Sequence, residues 1–134
     1  MDRNDDLDAD VARTVFGFWF EEDGERGPQW WGPHSHTPGA RAYATACLPL
    51  WVMGCSYRAS NGLPYFSSDA TACAAVVEEI KRRPFSVRHR FIEALREQMP
   101  RPAGAMIDSS WWVFFMTPEI ICRAALACVQ EPAP

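Results

Sequence analysis

The sequence predicts an α/β domain of the α+β kind, in which a small, mainly antiparallel sheet is sandwiched between helices as helix–sheet–helix layers. Two stretches, residues 68–83 and 117–129, repeat apolar residues at helical spacing. An apolar run at residues 111–116 consists of strand-forming Trp, Val and Phe followed by Met. The chain has 134 residues, a size typical of one domain, so residues 1–134 are predicted to fold as a single unit.

The first helix is predicted to begin near Asp5 or Asp6, where an Asn or Asp side chain can accept hydrogen bonds from free backbone N–H groups. Apolar residues then recur at near-helical spacing: Leu7, Val11, Ala12, Val15, Phe16, Phe18 and Trp19. We expect the helix to end at the glycines of EEDGERG, residues 21–27.

Residues 27–64 are predicted to form an irregular insertion with one or two short strands, because this stretch is rich in Pro and Gly. The best strand within it is residues 50–53, with an extension toward Tyr57. The sequence SNG at 60–62 indicates a turn, since Asn and Gly tolerate positive φ.

The second helix is predicted to have Ser68 as its N-cap and Asp69 in its first turn, and to stop at Pro84. Basic residues at 81–83 suit the negative end of this helix. Its buried stripe is predicted to contain Cys73, Val76, Val77 and Ile80.

Residues 85–99 fit two patterns. The alternation of Phe85, Val87 and Phe91 indicates a strand that turns Arg88 and Arg90 outward. A helical pattern also fits, through Val87, Phe91, Ile92, Leu95 and Met99. We predict an extended segment up to about Phe91 and a helix after it.

The run at 111–116 is predicted to be a central strand, because a strand that is apolar on both faces is covered on both sides. Thr117 is predicted to cap the last helix, with Pro118 at its first position and Glu119 near its positive end. The buried stripe of this helix is predicted to contain Ile121, Ala124, Ala125 and Cys128.

The order of these segments resembles the phage ABA-sandwich domain. The resemblance covers residues 11–129 and depends mainly on YFSSDATACAAVVEE and TPEIICRAAL, while residues 33–62 depart from the family pattern. It implies helix–sheet–helix layers and a phage or prophage gene whose product acts inside a bacterial cell. The matching motifs are caps and buried stripes, so the resemblance implies no catalytic residues.

Charge and cysteine content narrow the function classes. The formal net charge is −4, which argues against direct DNA binding, although acids concentrate in residues 2–25 and bases in 81–101. Five cysteines are an odd number and indicate no disulfide framework, so we expect a reducing cytoplasm. The resemblance implies that this is the cytoplasm of a bacterial host cell. No signal-peptide pattern and no apolar run long enough for a membrane span is present, so no membrane association is expected.

No catalytic motif is recognisable, and the protein is predicted not to be an enzyme and to need no cofactor. An alternative is a nucleotide pocket, in which the helix starts at Ser68 and Thr117 hold an anion, Arg residues add charge and a Trp stacks on a base. The simpler interpretation is that Ser68 and Thr117 cap their own helices and that the Trp side chains cover the core. Six residues are candidate binding residues: Trp30, Trp31, His34, His36, Arg88 and Arg90.

A second alternative is a zinc-stabilised module. His34 and His36 are followed by Cys47 and Cys55, and four such side chains can bind tetrahedral zinc. The spacing is unusual for a zinc site, so no metal ligand is assigned. The function that we expect is that of a small phage-type binding protein, which engages a host protein such as a component of a defence system. The main alternative is a protein that sequesters a nucleotide or another small molecule.

Overall fold

The computed structural model describes residues 4–25, 27–33, 40–52, 54–98 and 116–129. In this part of the chain, four helices and a three-stranded antiparallel sheet are joined by turns, which confirms the α+β fold with a small antiparallel sheet. The helices are α1 (Asp5–Thr14), α2 (Ala70–Lys81), α3 (Phe85–Gln98) and α4 (Pro118–Val129). The strands are β1 (Trp19–Glu21), β2 (Gln29–Pro33) and β3 (Arg41–Tyr43).

Helix α1 starts as predicted and ends earlier than predicted. Asn4 is its cap, and the side-chain oxygen of Asn4 accepts a hydrogen bond from the backbone N–H of Leu7 at 3.0 Å. The predicted continuation to residues 21–27 is wrong. The chain turns at Gly17, whose φ of +73° favours glycine, and Trp19 already begins β1.

The sheet has β2 at its centre, paired antiparallel with β1 on one side and β3 on the other. Trp31 lies opposite Trp19 and opposite Tyr43. Residues that lie directly opposite each other on paired strands turn their side chains to the same face, so these three aromatic residues share one face. Side chains alternate along a strand, so Trp30 and Gly32 lie on the other face, which packs against the hydrophobic core.

The region predicted as an irregular insertion contains β2 and β3, in agreement with one or two short strands. The predicted strand at 50–53 is wrong, since Leu50–Val52 form a short 3-10 helix. The carbonyl of Pro49 accepts a hydrogen bond from Val52 N–H at 3.0 Å, and Gly54 follows with a φ of +89°. A second short 3-10 helix, Ala44–Cys47, comes directly after β3.

Helix α2 is capped by Asp69, whose carboxylate accepts a hydrogen bond from the N–H of Thr71 at 3.0 Å. The prediction of Ser68 as the cap is therefore wrong by one residue. Of the predicted stripe, three residues are buried and Val77 is half-buried; the buried ones are Cys73, Val76 and Ile80.

Helix α3 begins at Phe85, so the predicted extended segment up to Phe91 is wrong. The carbonyl of Pro84 accepts hydrogen bonds from the N–H groups of Val87 and Arg88, at 3.0 and 3.1 Å, and this closes the first helical turn. The buried side chains of α3 follow helical spacing: Phe91, Ala94 and Leu95.

Helix α4 is the centre of the helical part, because it packs against α1, α2 and α3. It starts as predicted, with the hydroxyl of Thr117 accepting a hydrogen bond from Ile120 N–H at 3.2 Å. Small side chains on its buried face allow three helices to approach: Cys122, Ala124, Ala125 and Cys128. Of the predicted central strand, only Met116 belongs to the described residues, so the fold of 111–115 stays a prediction.

Candidate binding surface

One face of the sheet carries aromatic and charged side chains from all three strands. We call it the outer face and define it by Trp19, Glu21, Trp31, Arg41 and Tyr43. Strand register puts these residues on one side, because Trp31 lies between Trp19 and Tyr43 and the other two are two positions away along β1 and β3.

The outer face is held together by contacts between the strands. The rings of Trp31 and Tyr43 stack with centroids 5.0 Å apart and an interplanar angle of 15°. The guanidinium carbon of Arg41 lies 4.0 Å from the Trp31 ring centroid, within cation–π range. Arg41 also forms an ion pair with Glu21. The indole N–H of Trp19 donates to the other carboxylate oxygen of Glu21 at 3.2 Å.

Electrostatics at this face are set by Glu21. The hydrogen bond from Arg41, and then that from Trp19, lower the pKa of the Glu21 carboxyl below its ordinary value. Trp31 is buried at the centre of the face, whereas Trp19 is 38% exposed and Tyr43 is 37% exposed. The result is a fixed aromatic and charged surface with a covered centre and accessible sides.

Trp30 belongs to the opposite face of the sheet and to the core. It is 4% exposed, its ring lies 5.6 Å from that of Phe20, and Arg13 of α1 lies over it at 5.5 Å. Its position agrees with the interpretation that this ring covers the core, and it offers no open ring face to a nucleotide base.

Arg88 and Arg90 lie on helix α3 and not on a strand beside the Trp residues, so the predicted strand placement of these two arginines is wrong. Arg88 is exposed. Arg90 is half-buried, and its guanidinium donates to the carbonyl of Cys128 at 3.2 Å. The two grooves described below are not lined by either arginine or by Trp31.

His34 and His36 lie outside the described residues, between β2 and β3 in the chain. Their predicted companions are Cys47, which is half-buried with its thiol 3.3 Å from the carbonyl of Pro33, and Cys55, which is buried. Burial raises the pKa of both thiols, and the Asp69 carboxylate raises that of Cys55 further. Among the described residues, no three metal-binding side chains come close enough to hold an ion, and the zinc alternative stays a prediction.

Two grooves formed by described residues bear on ligand binding. One of about 530 Å³ lies between α1, α4 and the end of α3, and its charged lining is Asp6, Asp10 and Arg123. The other, of about 360 Å³, lies beside the two short 3-10 helices. Its lining is mainly apolar and contains no cationic side chain: Thr45, Ala46, Leu48, Pro49, Val52, Gly54, Cys55 and Tyr57.

A buried polar group connects α1 to the turn before α2. Asp8 has no solvent exposure, and its carboxylate accepts a hydrogen bond from the backbone N–H of Ser67 at 2.7 Å. Burial raises the pKa of Asp8 above 3.8, since the hydrogen bond offsets only part of the lost hydration. Nearby, a hydrogen bond with Cys73 and then burial raise the pKa of the Cys122 thiol, so Cys122 resists ionisation.

Sequence reasoning selected Trp31 but missed the other members of the outer face. The available signal was alternation with period two, in W-x-E at 19–21 and R-x-Y at 41–43. Three residues are too few for such a pattern to stand out from a helix or a loop. The sequence predicts the helix starts more closely: Thr117 caps α4 as expected, and the cap of α2 is Asp69, one residue after the predicted Ser68.

Searches against protein-family models, curated proteins and solved structures find no match to this chain. The resemblance to the phage ABA-sandwich domain therefore stays a prediction from the quoted motifs. Of the helices in the described ranges, none combines the length and apolar composition needed to cross a membrane.

Proposed function

We propose that the protein is a non-catalytic binding protein that engages a protein partner through the outer face. The resemblance to the phage ABA-sandwich domain supports a phage or prophage origin. From that origin we propose that the partner is a protein of the bacterial host, such as a component of a defence system, and that they meet in the cytoplasm.

The observation that carries this proposal is the ordered contact between Arg41, Trp31 and Tyr43 on an accessible sheet face. Trp, Tyr and Arg are the residue types that contribute most binding energy at protein interfaces. Their side chains are already fixed by stacking and by the Glu21 ion pair, so little conformational freedom is lost when a partner binds.

The direct test is capture of host proteins from bacterial lysates, followed by affinity measurement with the purified partner. The informative variant is Trp19→Ser combined with Tyr43→Ser, which removes the two accessible aromatic rings of the outer face. We expect this variant to bind the partner about tenfold more weakly or worse, as is usual when interface hot spots are truncated.

The matched control is Trp51→Ser, since Trp51 is 59% exposed and is not part of the sheet. This variant should bind the partner as the unchanged chain does. The proposal fails if, across hosts with different defence systems, no captured protein depends on Trp19 and Tyr43.

The pocket of about 360 Å³ favours a second candidate function, binding of a small molecule. Its volume is within the usual range of ligand sites, and its lining favours an apolar ligand over a nucleotide because it lacks cations. A ligand that binds only the folded chain raises its melting temperature. Unchanged melting curves with both nucleotides and small aromatic compounds would remove this candidate.

A further inference from the structure

We propose that the exposed face of helix α3 is a second docking surface, and that its partner is an acidic amphipathic helix of another protein. This inference rests on the proposed function as a binding protein and adds a separate site with a stated partner chemistry. The face, which we call the α3 stripe, is formed by Phe85, Arg88, His89, Ile92 and Arg96.

The residues of the α3 stripe lie on one side of the helix. Their spacing of three, one, three and four positions follows the helical repeat, so they form one continuous strip along the axis. The buried side chains of α3 lie away from Phe85, His89, Ile92 and Arg96, and Arg88 is at the boundary, on the side nearest Leu95. The α3 stripe is therefore the side of the helix that the described part of the fold leaves uncovered.

The centre of the α3 stripe is apolar and accessible. Phe85 is 72% exposed, the highest value among the large apolar residues of the described chain, and Ile92 is 43% exposed. The Phe85 ring stacks on His89, with centroids 5.9 Å apart, which holds the ring against the helix. Large apolar side chains at this spacing on a polar helix mark a contact surface for another helix.

The charges of the α3 stripe define the partner. Other basic side chains are already paired: Lys81, Arg82 and Arg83 with Glu side chains of α2, and Arg123 with a Glu of α4. Arg88 and Arg96, by contrast, have no ion pair within the described residues. They are eight positions apart, which is about 12 Å along the helix axis. The guanidinium of each can donate two hydrogen bonds to one carboxylate of a partner.

This combination fits an acidic amphipathic helix with apolar side chains seven positions apart and two carboxylates about eight positions apart. A nucleic acid fits less well, because the centre of the stripe is apolar and would face a charged phosphate backbone. A second copy fits less well too. If two copies paired through this stripe in an antiparallel two-fold dimer, the arginines of one copy would lie beside those of the other, and their like charges would repel.

The test uses two synthetic helical peptides of about 20 residues, long enough to form a helix on a surface. Both contain the same Leu, Glu, Ala and Gln residues. In the matched peptide, the Leu residues form one stripe along the helix, and two Glu residues eight positions apart lie beside that stripe. In the control peptide, the Leu residues are distributed around the helix. Fluorescence anisotropy measures the binding of each peptide to the full chain. We expect the matched peptide to bind about tenfold more tightly or better.

Two pairs of substitutions locate the site. Arg88→Glu with Arg96→Glu should weaken binding of the matched peptide about tenfold. Phe85→Ser with Ile92→Ser should do the same while leaving the charge unchanged. Arg13→Glu, an equal change of charge for an exposed arginine of α1, should leave the affinity within about twofold. Circular dichroism spectra check that each variant is folded.

Charge reversal of the peptide supplies the decisive comparison. A matched peptide with Lys in place of Glu should bind the Arg88→Glu, Arg96→Glu chain more tightly than it binds the unchanged chain. The proposal is overturned if the two peptides bind equally, if the α3 substitutions have no effect, or if duplex DNA binds the stripe more tightly than the matched peptide. Self-association that is lost with Ile92→Ser would also overturn it.

The outcome is independent of the outer face. The Trp19→Ser, Tyr43→Ser chain should bind the matched peptide normally. If peptide binding is normal but no host protein depends on the outer face, the proposed function fails at that face and the α3 inference stands. If a host protein depends on the outer face but the matched peptide does not bind the α3 stripe, the proposed function stands and the α3 inference fails.

Discussion

Gly32 lets two side chains pack directly against the inner face of the sheet. A Cβ atom at this position would lie 2.6 Å from the Cys47 sulfur and 2.8 Å from two ring carbons of Phe18. Real Cβ atoms do not approach other atoms so closely, and Phe18 is only 5% exposed, so its ring has little room to move. Gly32 is therefore required by space rather than by backbone conformation.

We predict that Gly32→Ala lowers the free energy of unfolding by about 1–3 kcal/mol, the usual cost of adding a methyl group to a filled core. Chemical denaturation measures the change. The control is Gly24→Ala, whose added Cβ would be 3.4 Å from its nearest neighbour, a Glu21 carboxylate oxygen. That change should stay within about 0.5 kcal/mol. Equal effects of the two substitutions would contradict the predicted close packing at Gly32.

The start of helix α2 shows how a contact between distant residues decides a local boundary. Ser68 and Asp69 are both good N-cap residues, so the sequence alone does not choose between them. In the structure, the Asp69 carboxylate bonds Thr71 N–H within the helix and also the backbone N–H of Ser56, 13 residues earlier. The second bond attaches the helix start to the preceding turn and selects Asp69.

We predict that Asp69→Ala lowers the free energy of unfolding by about 1–2 kcal/mol or more, because one cap bond and one bond to the turn are lost. Ser68→Ala should change it by less than about 0.5 kcal/mol. Urea titrations of both variants give the comparison. If Ser68→Ala were the more damaging substitution, Ser68 rather than Asp69 would be the cap.

Helix α3 and the three strands show what sequence patterns resolve at the scale of elements. The end of α2 and the start of α4 are predictable because Pro84 and Pro118 limit the backbone locally. The alternation of Phe85, Val87 and Phe91 is equally compatible with a strand, and the packing of α3 on α4 decides for the helix. The strands are three to five residues long, too short for a clear period.

At the scale of the whole molecule, composition and periodicity were sufficient for the α+β class but not for the candidate surface. Trp31 was identified from its residue type. Its contacts with Arg41 and Tyr43 depend on strand register across the segment at 34–39, and no local pattern encodes that register. Arg88 was also selected from its charge, while its neighbours in the α3 stripe became visible only once the helix was established.

Asp8 is predicted to make one contribution to the pH dependence of global stability. Because burial raises its pKa in the folded chain, the folded state holds this proton more strongly than the unfolded state does. The stabilisation from this proton is complete below pH 3.8 and is lost as the pH rises through the raised pKa. The contribution of Asp8 to the free energy of unfolding is therefore smaller once its carboxyl is ionised than at acidic pH.

Asp8→Asn removes this titration. We predict that the stability of the variant relative to the unchanged chain increases with pH, by about 1.4 kcal/mol for each pH unit by which the pKa is raised. Urea unfolding at several pH values between about 3.5 and 7 measures the difference. Parallel stability profiles for the two chains would show that Asp8 titrates normally in the fold.

The central position of α4 has a consequence for synthesis in the cell. A ribosome makes α1, α2 and α3 before residues 118–129 exist, yet all three pack on that helix. The apolar faces of these three helices that pack on α4 are therefore exposed during translation and are accessible to chaperones and proteases. Native assembly becomes feasible only once this late segment has left the exit tunnel.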